Sequence, residues 1–370
     1  METMEVKELI RSMCTAVSVA GYEYMAQGEY EKIFRGLPKS SFDEFRFDDM
    51  GNCHIVKAAD KKVDNPVKIL LDAHIDQIGM MVSGICEGGF LRVSPLGGVD
   101  ANILLGSHVY VYTSPDGFTF GSEKKILGVV CNTPPHLKNV SSNLLPETHE
   151  ILIDTGYSKE ALEKIVRIGA PVSFKADFCE LRNDIIACSG LDDRVCGAII
   201  VEAIRRLKNH GADVHGLLSA GEEIFGFLGA KTGAAYAKPD LAVVFDVDYA
   251  RDPDVDAAVS IEVGKGAGVL YSACTSMNLT RQLVNLAKRK ELPLQIIADP
   301  LSTGTNAQAI QIAGDGIPCI CLSLPLKNMH GYYEAASMKD VEASVNLLVE
   351  LIMNIEDFVF EGKIDGLRFI

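Results

Sequence analysis

Chemistry-bearing side chains in this sequence gather where apolar runs stop. The run ILLDAHID ends on His74 and Asp76, HGLLSAGEE ends on Glu222 and Glu223, AVVFDVD ends on Asp246 and Asp248, and CICLSLPLKNMH leads to His330. Asp192 stands at the head of the segment that follows ACSG. Set together, His74, Asp192, Glu223, Asp246 and His330 offer two imidazoles and three carboxylates. Calcium and magnesium favour shells built of oxygen alone, whereas mixed imidazole and carboxylate shells suit zinc, cobalt or manganese. A single catalytic metal with an open position needs fewer ligands than this, so the count fits two ions that share one bridging carboxylate.

Those residues meet only if the runs that carry them are neighbours. Apolar runs alternating with amphipathic helices predict a mainly parallel sheet covered by helices, and ligands of such sheets bind at the C-terminal ends of the strands. Taken singly, each residue has a plainer reading. A lone histidine is more often structural or exposed, and His54, His108, His136, His149, His210 and His215 keep that assignment. Glu222 and Glu223 alone would be acids at a helix start, and Asp192 alone an N-cap. What changes the balance is that five separate segments bring suitable residues to one edge. GKGAG (264–268) lacks the Lys-Ser/Thr of a phosphate loop and reads as a turn, and Cys196 lies within a helix and reads as core.

The supporting elements follow from periodicity. Residues 1–37 predict one or two helices, and PVKILLDAHID a strand buried on both faces. From 82 to 176 the texture changes to short alternating stretches, FLRVSPL, HVYVYT, GVVC and PVSFKADF, punctuated by Gly and Pro, which predicts an inserted β domain. DDRVCGAIIVEAIRRLKNHG then reads as a helix ending at Gly211, VHGLLSA, LAVVFDV and IPCICLSLP as strands, and SMNLTRQLVNLAKRK and MKDVEASVNLLVELIMNIEDFV as helices. The expected fold class is α/β, a mainly parallel mixed sheet with helices on both faces, interrupted by a small β-barrel-like insert. The expected division is 1–81 with 177–370 as the catalytic domain and 82–176 as the insert.

Composition limits the rest. The net charge of −15 opposes a polyanion surface, so nucleic acid is not an expected partner. Ten scattered cysteines without a CxxC pair fit free thiols in a reducing compartment. The first residues lack the basic start and continuous apolar stretch of a signal peptide, and no segment is long and apolar enough to span a membrane. A cytoplasmic location is the expectation.

The strings AHIDQIG, LDDR, EEIFGFLGA, FDVD and MHGYYE, in that order, resemble the tetrahedral (TET) aminopeptidases, a family of glutamyl and deblocking aminopeptidases with two co-catalytic metals. The similarity extends to GYE at Tyr22, MGN at Met50, PLGGVD around Gly97, GVVCNTPPHL, LIDTGYSKE and VGKGAG, and so covers nearly the whole chain. The resemblance implies a metallo-exopeptidase fold and two divalent ions, zinc or cobalt, with manganese as an alternative. It implies that Asp192 bridges them, that His74 and Glu223 complete one site, and that Asp246 and His330 complete the other. Glu222 matches the general base that takes a proton from a metal-held water and returns it to the departing amine, and Asp76 the carboxylate that orients His74. Short peptides would be the substrates, and the subunits would assemble from dimers into a hollow homo-oligomeric dodecamer through the insert. The chain departs from the family pattern at Gln77, Asp248 and Asn306, and by one extra residue between Glu223 and Gly229. Two rivals remain at the level of sequence. A glycoside hydrolase would use two carboxylates roughly 5–9.5 Å apart, which leaves the histidines without a role. A non-catalytic assembly protein stabilised by metal would have no need of Glu222.

Overall fold

The computed structural model describes residues 5–113, 124–132, 151–224, 226–253, 255–300, 303–360 and 363–364. Helices α1 (Val6–Thr15) and α2 (Gln27–Gly36) come first, followed by strands β1 (Glu44–Phe47), β2 (Cys53–Lys57) and β3 (Lys68–His74). Six strands then depart from the main body: β4 (Gly79–Cys86), β5 (Phe90–Leu96), β6 (His108–Thr113), β7 (Lys124–Val130), β8 (Leu152–Asp154) and β9 (Pro171–Phe174), with short helices α3 (Ala101–Leu104) and α4 (Lys159–Ile165) between them. The chain returns through β10 (Cys179–Glu180), β11 (Ile185–Cys188), α5 (Leu191–Arg206), β12 (Asp213–Ser219), α6 (Leu228–Ala237) and β13 (Leu241–Tyr249). It ends with β14 (Ala267–Tyr271), α7 (Met277–Arg289), β15 (Leu294–Ala298), α8 (Ala307–Ile310), β16 (Cys319–Leu326), β17 (Glu334–Ser337) and α9 (Met338–Met353).

The main sheet has the order β1-β2-β12-β3-β13-β16-β14-β15. Its centre, β12, β3, β13 and β16, is parallel, while β2 and β14 join it antiparallel, so the sheet is mixed with a parallel core. Alternate residues feed two cores. Ile69, Leu71, Val243 and Phe245 pack beneath α1, α5 and α9, and Leu70, Ala242 and Val244 pack against α6 and α8. Strands covered on both faces carry few polar side chains along their length, and Asp72 of β3, fully buried, is held by a hydrogen bond from Asn306. The six departing strands close into the barrel β4-β5-β8-β7-β6-β9, with its own interior of Val82, Leu91, Val93, Val109, Val111, Ile153 and Val172.

Two details differ from the sequence reading. Helix α5 stops at Arg206 rather than Gly211, because Leu207 turns extended to enter the core. Strands β14 and β15 add an antiparallel wing that the apolar runs did not disclose. The GKGAG segment is a turn, with Gly264 and Gly266 at φ 84° and 82° and both N–H groups donating to the carboxylate of Asp340. All ten cysteines are free thiols, and Cys196 is buried.

Candidate metal centre

Register places the first candidate ligands. Asp72 of β3 lies opposite Val244 of β13, so His74 and Asp246, each two residues further along, share a face and a level. Ser219, the last residue of β12, lies opposite His74, and the chain beyond it carries Glu222 and Glu223 over the same edge. Asp192 enters from the head of α5. Neither plainer reading applies to these acids: Gly190 occupies the N-cap of α5, Asp192 has non-helical dihedrals, and the next helix after Glu223 begins only at Leu228.

Asp192 stands between the two imidazoles. Its Oδ1 lies 3.1 Å from His74 Nε2 and its Oδ2 3.3 Å from His330 Nε2. His74 Nε2 also faces Asp246 at 3.8 Å and Glu222 at 3.9 Å, while His330 Nε2 faces Glu223 at 3.4 Å. All five residues expected as ligands thus converge with Glu222 at the C-terminal edge. The resemblance implied His74 with Glu223 and Asp246 with His330. His74, Asp192 and Glu223 do offer atoms within 4.8 Å of one another, but the direct contacts set His74 beside Asp246 and His330 beside Glu223, because β3 and β13 are adjacent strands.

The donor set fits divalent cations. Burial pushes the carboxyl of Glu222 up to about 9, with Asp246, Glu223 and Asp192 adding to the shift and His74 opposing it. Burial likewise carries Asp246 up to about 7, and Glu223 is raised. For His74, burial disfavours the charged ring, but the carboxylates of Asp192, Asp76, Glu222 and Asp246 outweigh it and raise its pKa. Contacts with Asp192 and Glu223 hold His330 up to about 11. Carboxylates this crowded retain protons unless positive charge is supplied, and two imidazoles whose Nε2 atoms face them make the nitrogen and oxygen shell that zinc-like ions take.

Several supports were not singled out in the sequence. Asp76 was expected to orient His74, and its Oδ1 lies 3.5 Å from His74 Nδ1, but its main-chain oxygen is closer, at 3.0 Å. The carboxylate also accepts the backbone N–H groups of Glu222 and Glu223 at 3.1 and 3.0 Å. Glu334, at the start of β17 opposite Cys188, accepts the N–H of Asp192 at 3.1 Å and of His330 at 3.0 Å, tying two ligands to one carboxylate. It lies within MHGYYE, yet nothing in that string distinguishes it from a surface acid. Asp193 accepts the N–H of His74 at 3.1 Å and shares a 4.8 Å cluster with His74 and Asp246. Gly98 passes so close to the site that a Cβ there would lie 2.8 Å from His330 Nδ1. At the departures from the family pattern, Asn306 donates to Asp72 and Ser219, both at 2.9 Å, and Asp248 is half-buried at the end of β13.

The remaining histidines keep their structural assignments where they are described. His54 is buried between Asp48 and His215, at 2.8 and 2.9 Å, His210 bonds Ala212 O, and His108 is exposed. His136 and His149 lie outside the described residues. A cavity of about 1520 Å³ opens at the opposite edge of the sheet, beside Lys68, Asp240 and Cys319. Among the described residues, both candidate metal-ligating groups lie at the C-terminal edge instead.

The M42 glutamyl aminopeptidase family matches residues 51–347. The lysyl aminopeptidase of Pyrococcus furiosus is 31% identical over 357 residues, covering 95% of this chain and 98% of that protein. An aminopeptidase from the archaeon Desulfurococcus kamchatkensis superposes with a TM-score of 0.84 at 29% identity, over 94% of each chain. The TET1 peptidase of Pyrococcus horikoshii, which can assemble into a tetrahedron or a large octahedral shell, superposes at 0.79 with 27% identity, over 95% of this chain and 100% of that one.

Proposed function

The chain belongs to the M42 glutamyl aminopeptidase family and is an aminopeptidase, and on that premise we propose how its residues divide the work. The observation that carries the proposal is Asp192 reaching both His74 and His330. His74 with Asp246, and Glu223 with His330, would hold two divalent ions on either side of Asp192, zinc or cobalt in preference to manganese. When bound, such ions lower the pKa of a coordinated water toward about 7 and polarise a substrate carbonyl.

Glu222 is left as the group that moves protons. It takes a proton from the attacking water as the new C–O bond forms and gives it to the amide nitrogen as the C–N bond breaks. Burial and the neighbouring carboxylates of Asp246, Glu223 and Asp192 raise its proton affinity, which suits a carboxyl that must hold a proton between the two steps. Asp76 fixes its backbone, and Glu334 fixes two ligands. Short peptides with a free N-terminus are the substrates.

The expected boundary at 82 falls inside β4, whose residues Gly79–Met81 already pair within the barrel, so the module for assembly and substrate access starts at Gly79 rather than 82 and the rest of the chain forms the catalytic domain. Leu127, Val129, Tyr157 and Ile168 are each at least 42% exposed on or beside the barrel, in keeping with a surface that other copies cover. A closed homo-oligomer built from dimers, up to a tetrahedral dodecamer, follows the preference of soluble assemblies for closed symmetry. Ten free thiols favour a cytoplasmic site of action. A panel of aminoacyl chromogenic substrates and a β-glucan, run on metal-free protein with zinc, cobalt, manganese or magnesium added back, tests the reading. Release of amino acids dependent on added metal is expected, and hydrolysis of β-glucan alone would overturn it.

A further inference from the structure

We propose that Glu23 and Asn52, distant from the cluster in sequence, are positioning residues that hold Glu222 in its working place. The inference rests on the reading of Glu222 as the proton carrier. Strand β12 ends at Ser219, and Ala220 to Glu223 lie in neither helix nor strand. Loop amides of this kind usually turn to water. Here four in a row donate to side-chain oxygens brought from three other segments. Ala220 N–H reaches Asn52 Oδ1 at 2.9 Å, Gly221 N–H reaches Glu23 Oε1 at 3.1 Å, and the next two reach the oxygens of Asp76 at 3.1 and 3.0 Å.

Each acceptor is itself fixed. Glu23 is buried, and the same Oε1 accepts Gly21 N–H at 3.0 Å, so one atom joins the start of the chain to the loop. Asn52 is fully buried; its Nδ2 donates to Asp48 Oδ2 at 2.8 Å, and its backbone N–H to Asp48 Oδ1 at 3.0 Å. The neighbouring glycines leave no room for slack. A Cβ on Gly229 would lie 2.3 Å from both Asn52 Oδ1 and Ala220 O, and one on Gly51 would lie 3.3 Å from Glu23 Cβ. The strings GYE and MGN therefore acquire a role: they supply two of the three acceptors that carry the loop bearing Glu222. A reacting group displaced by about 1 Å can lose roughly 10²-fold in rate, so a backbone held at four consecutive points bears directly on turnover.

The design asks Glu23 for an acceptor oxygen and not for a charge, and this separates positioning from bulk stability. Glu23→Ala and Asn52→Ala are expected to lower kcat per metal-loaded protomer by about 10- to 100-fold, with KM and the content of added zinc unchanged. Glu23→Gln, whose Oε1 can still accept both amides, is expected to restore most of the loss. In wild-type protein, hydrogen exchange over 220–223 should be slow despite the absence of regular structure, and Glu23→Ala should speed it. Glu222→Gln is the comparator. If it is inactive while both alanine variants turn over like wild type, positioning is refuted and the role of Glu222 stands; if it is active, both fall together. Loss of zinc in step with activity in the alanine variants, or equal losses in Glu23→Gln and Glu23→Ala, would also overturn the proposal. Should the alanine variants not fold, fast exchange of 220–223 in the wild type would refute it, and slow exchange with an active Glu23→Gln would uphold it.

Discussion

The main sheet and the barrel are both β-structure, but they treat polar residues in opposite ways. In the barrel, β5 alternates between buried and exposed positions, since one face meets the interior and the other meets solvent. In the main sheet, β3 and β16 are buried almost throughout, and β13 is polar only toward its C-terminal end. A strand covered on both faces carries most of its charge at its ends, so four neighbouring strands deliver their charge to one edge. The barrel instead spreads polarity over its outer surface. Chemistry is thereby concentrated in one part of the molecule and packing in the other, and substitutions in the two parts should be separable.

Removal of divalent ions is the strongest way to test that separation. Hydrolysis of aminoacyl substrates should be abolished and then recovered on adding zinc or cobalt, with the barrel still folded by circular dichroism. Glu222→Gln comes next, with a loss of roughly 10²–10⁴ in kcat, because general acid–base groups contribute about that much. Metal content should be unchanged. If metal were lost in step with activity, Glu222 would be a ligand and the assignments of Glu222 and Glu223 would exchange. His330→Ala should weaken the ion shared with Glu223 while the ion beside His74 and Asp246 stays partly bound, read by metal analysis of the folded variant.

On the barrel side, Ile153→Ala removes a fully buried side chain and should cost about 2–5 kcal/mol in denaturant unfolding. Turnover per folded protomer should scarcely move; a fall as deep as that of Glu222→Gln would show that the barrel shapes the site itself. The smallest effect belongs to a pair on β2 and β12 of the main sheet, away from the edge that carries the cluster. Burial, then His54 and Arg46, push His215 down to about 4. Its folded pKa lies below the unfolded value, so its contribution is full above about 6.5 and is lost as pH falls toward about 4. Allowing for partial exposure, the loss is on the order of 2 kcal/mol, and His215→Gln should flatten the acid limb of stability against pH without altering kcat.

How much could be read in advance depended on how local each feature is. Continuous apolar runs ending in His74, Glu223, Asp246 and His330 declared both the parallel core and the edge where ligands meet, because burial on two faces leaves that mark in the sequence itself. The alternating stretches declared the barrel for the same reason. Which ligand stands beside which was not legible, since it depends on β3 and β13 being neighbours, and strand order leaves no trace in the order of residues. Glu334 and Asp193 were invisible as supports, because an acid that accepts a backbone N–H looks like any other acid until the chain folds it inward. Asp76 could be chosen as a partner of the site, yet its carboxylate serves the amides of Glu222 and Glu223 more than the ring of His74. The sequence by itself determined the chemistry and the edge that carries it, through the identity and periodicity of its residues. Tertiary structure alone decided the pairing and the support, because hydrogen bonds between distant segments, such as Glu23 and Gly221, 198 residues apart, exist only in the folded chain.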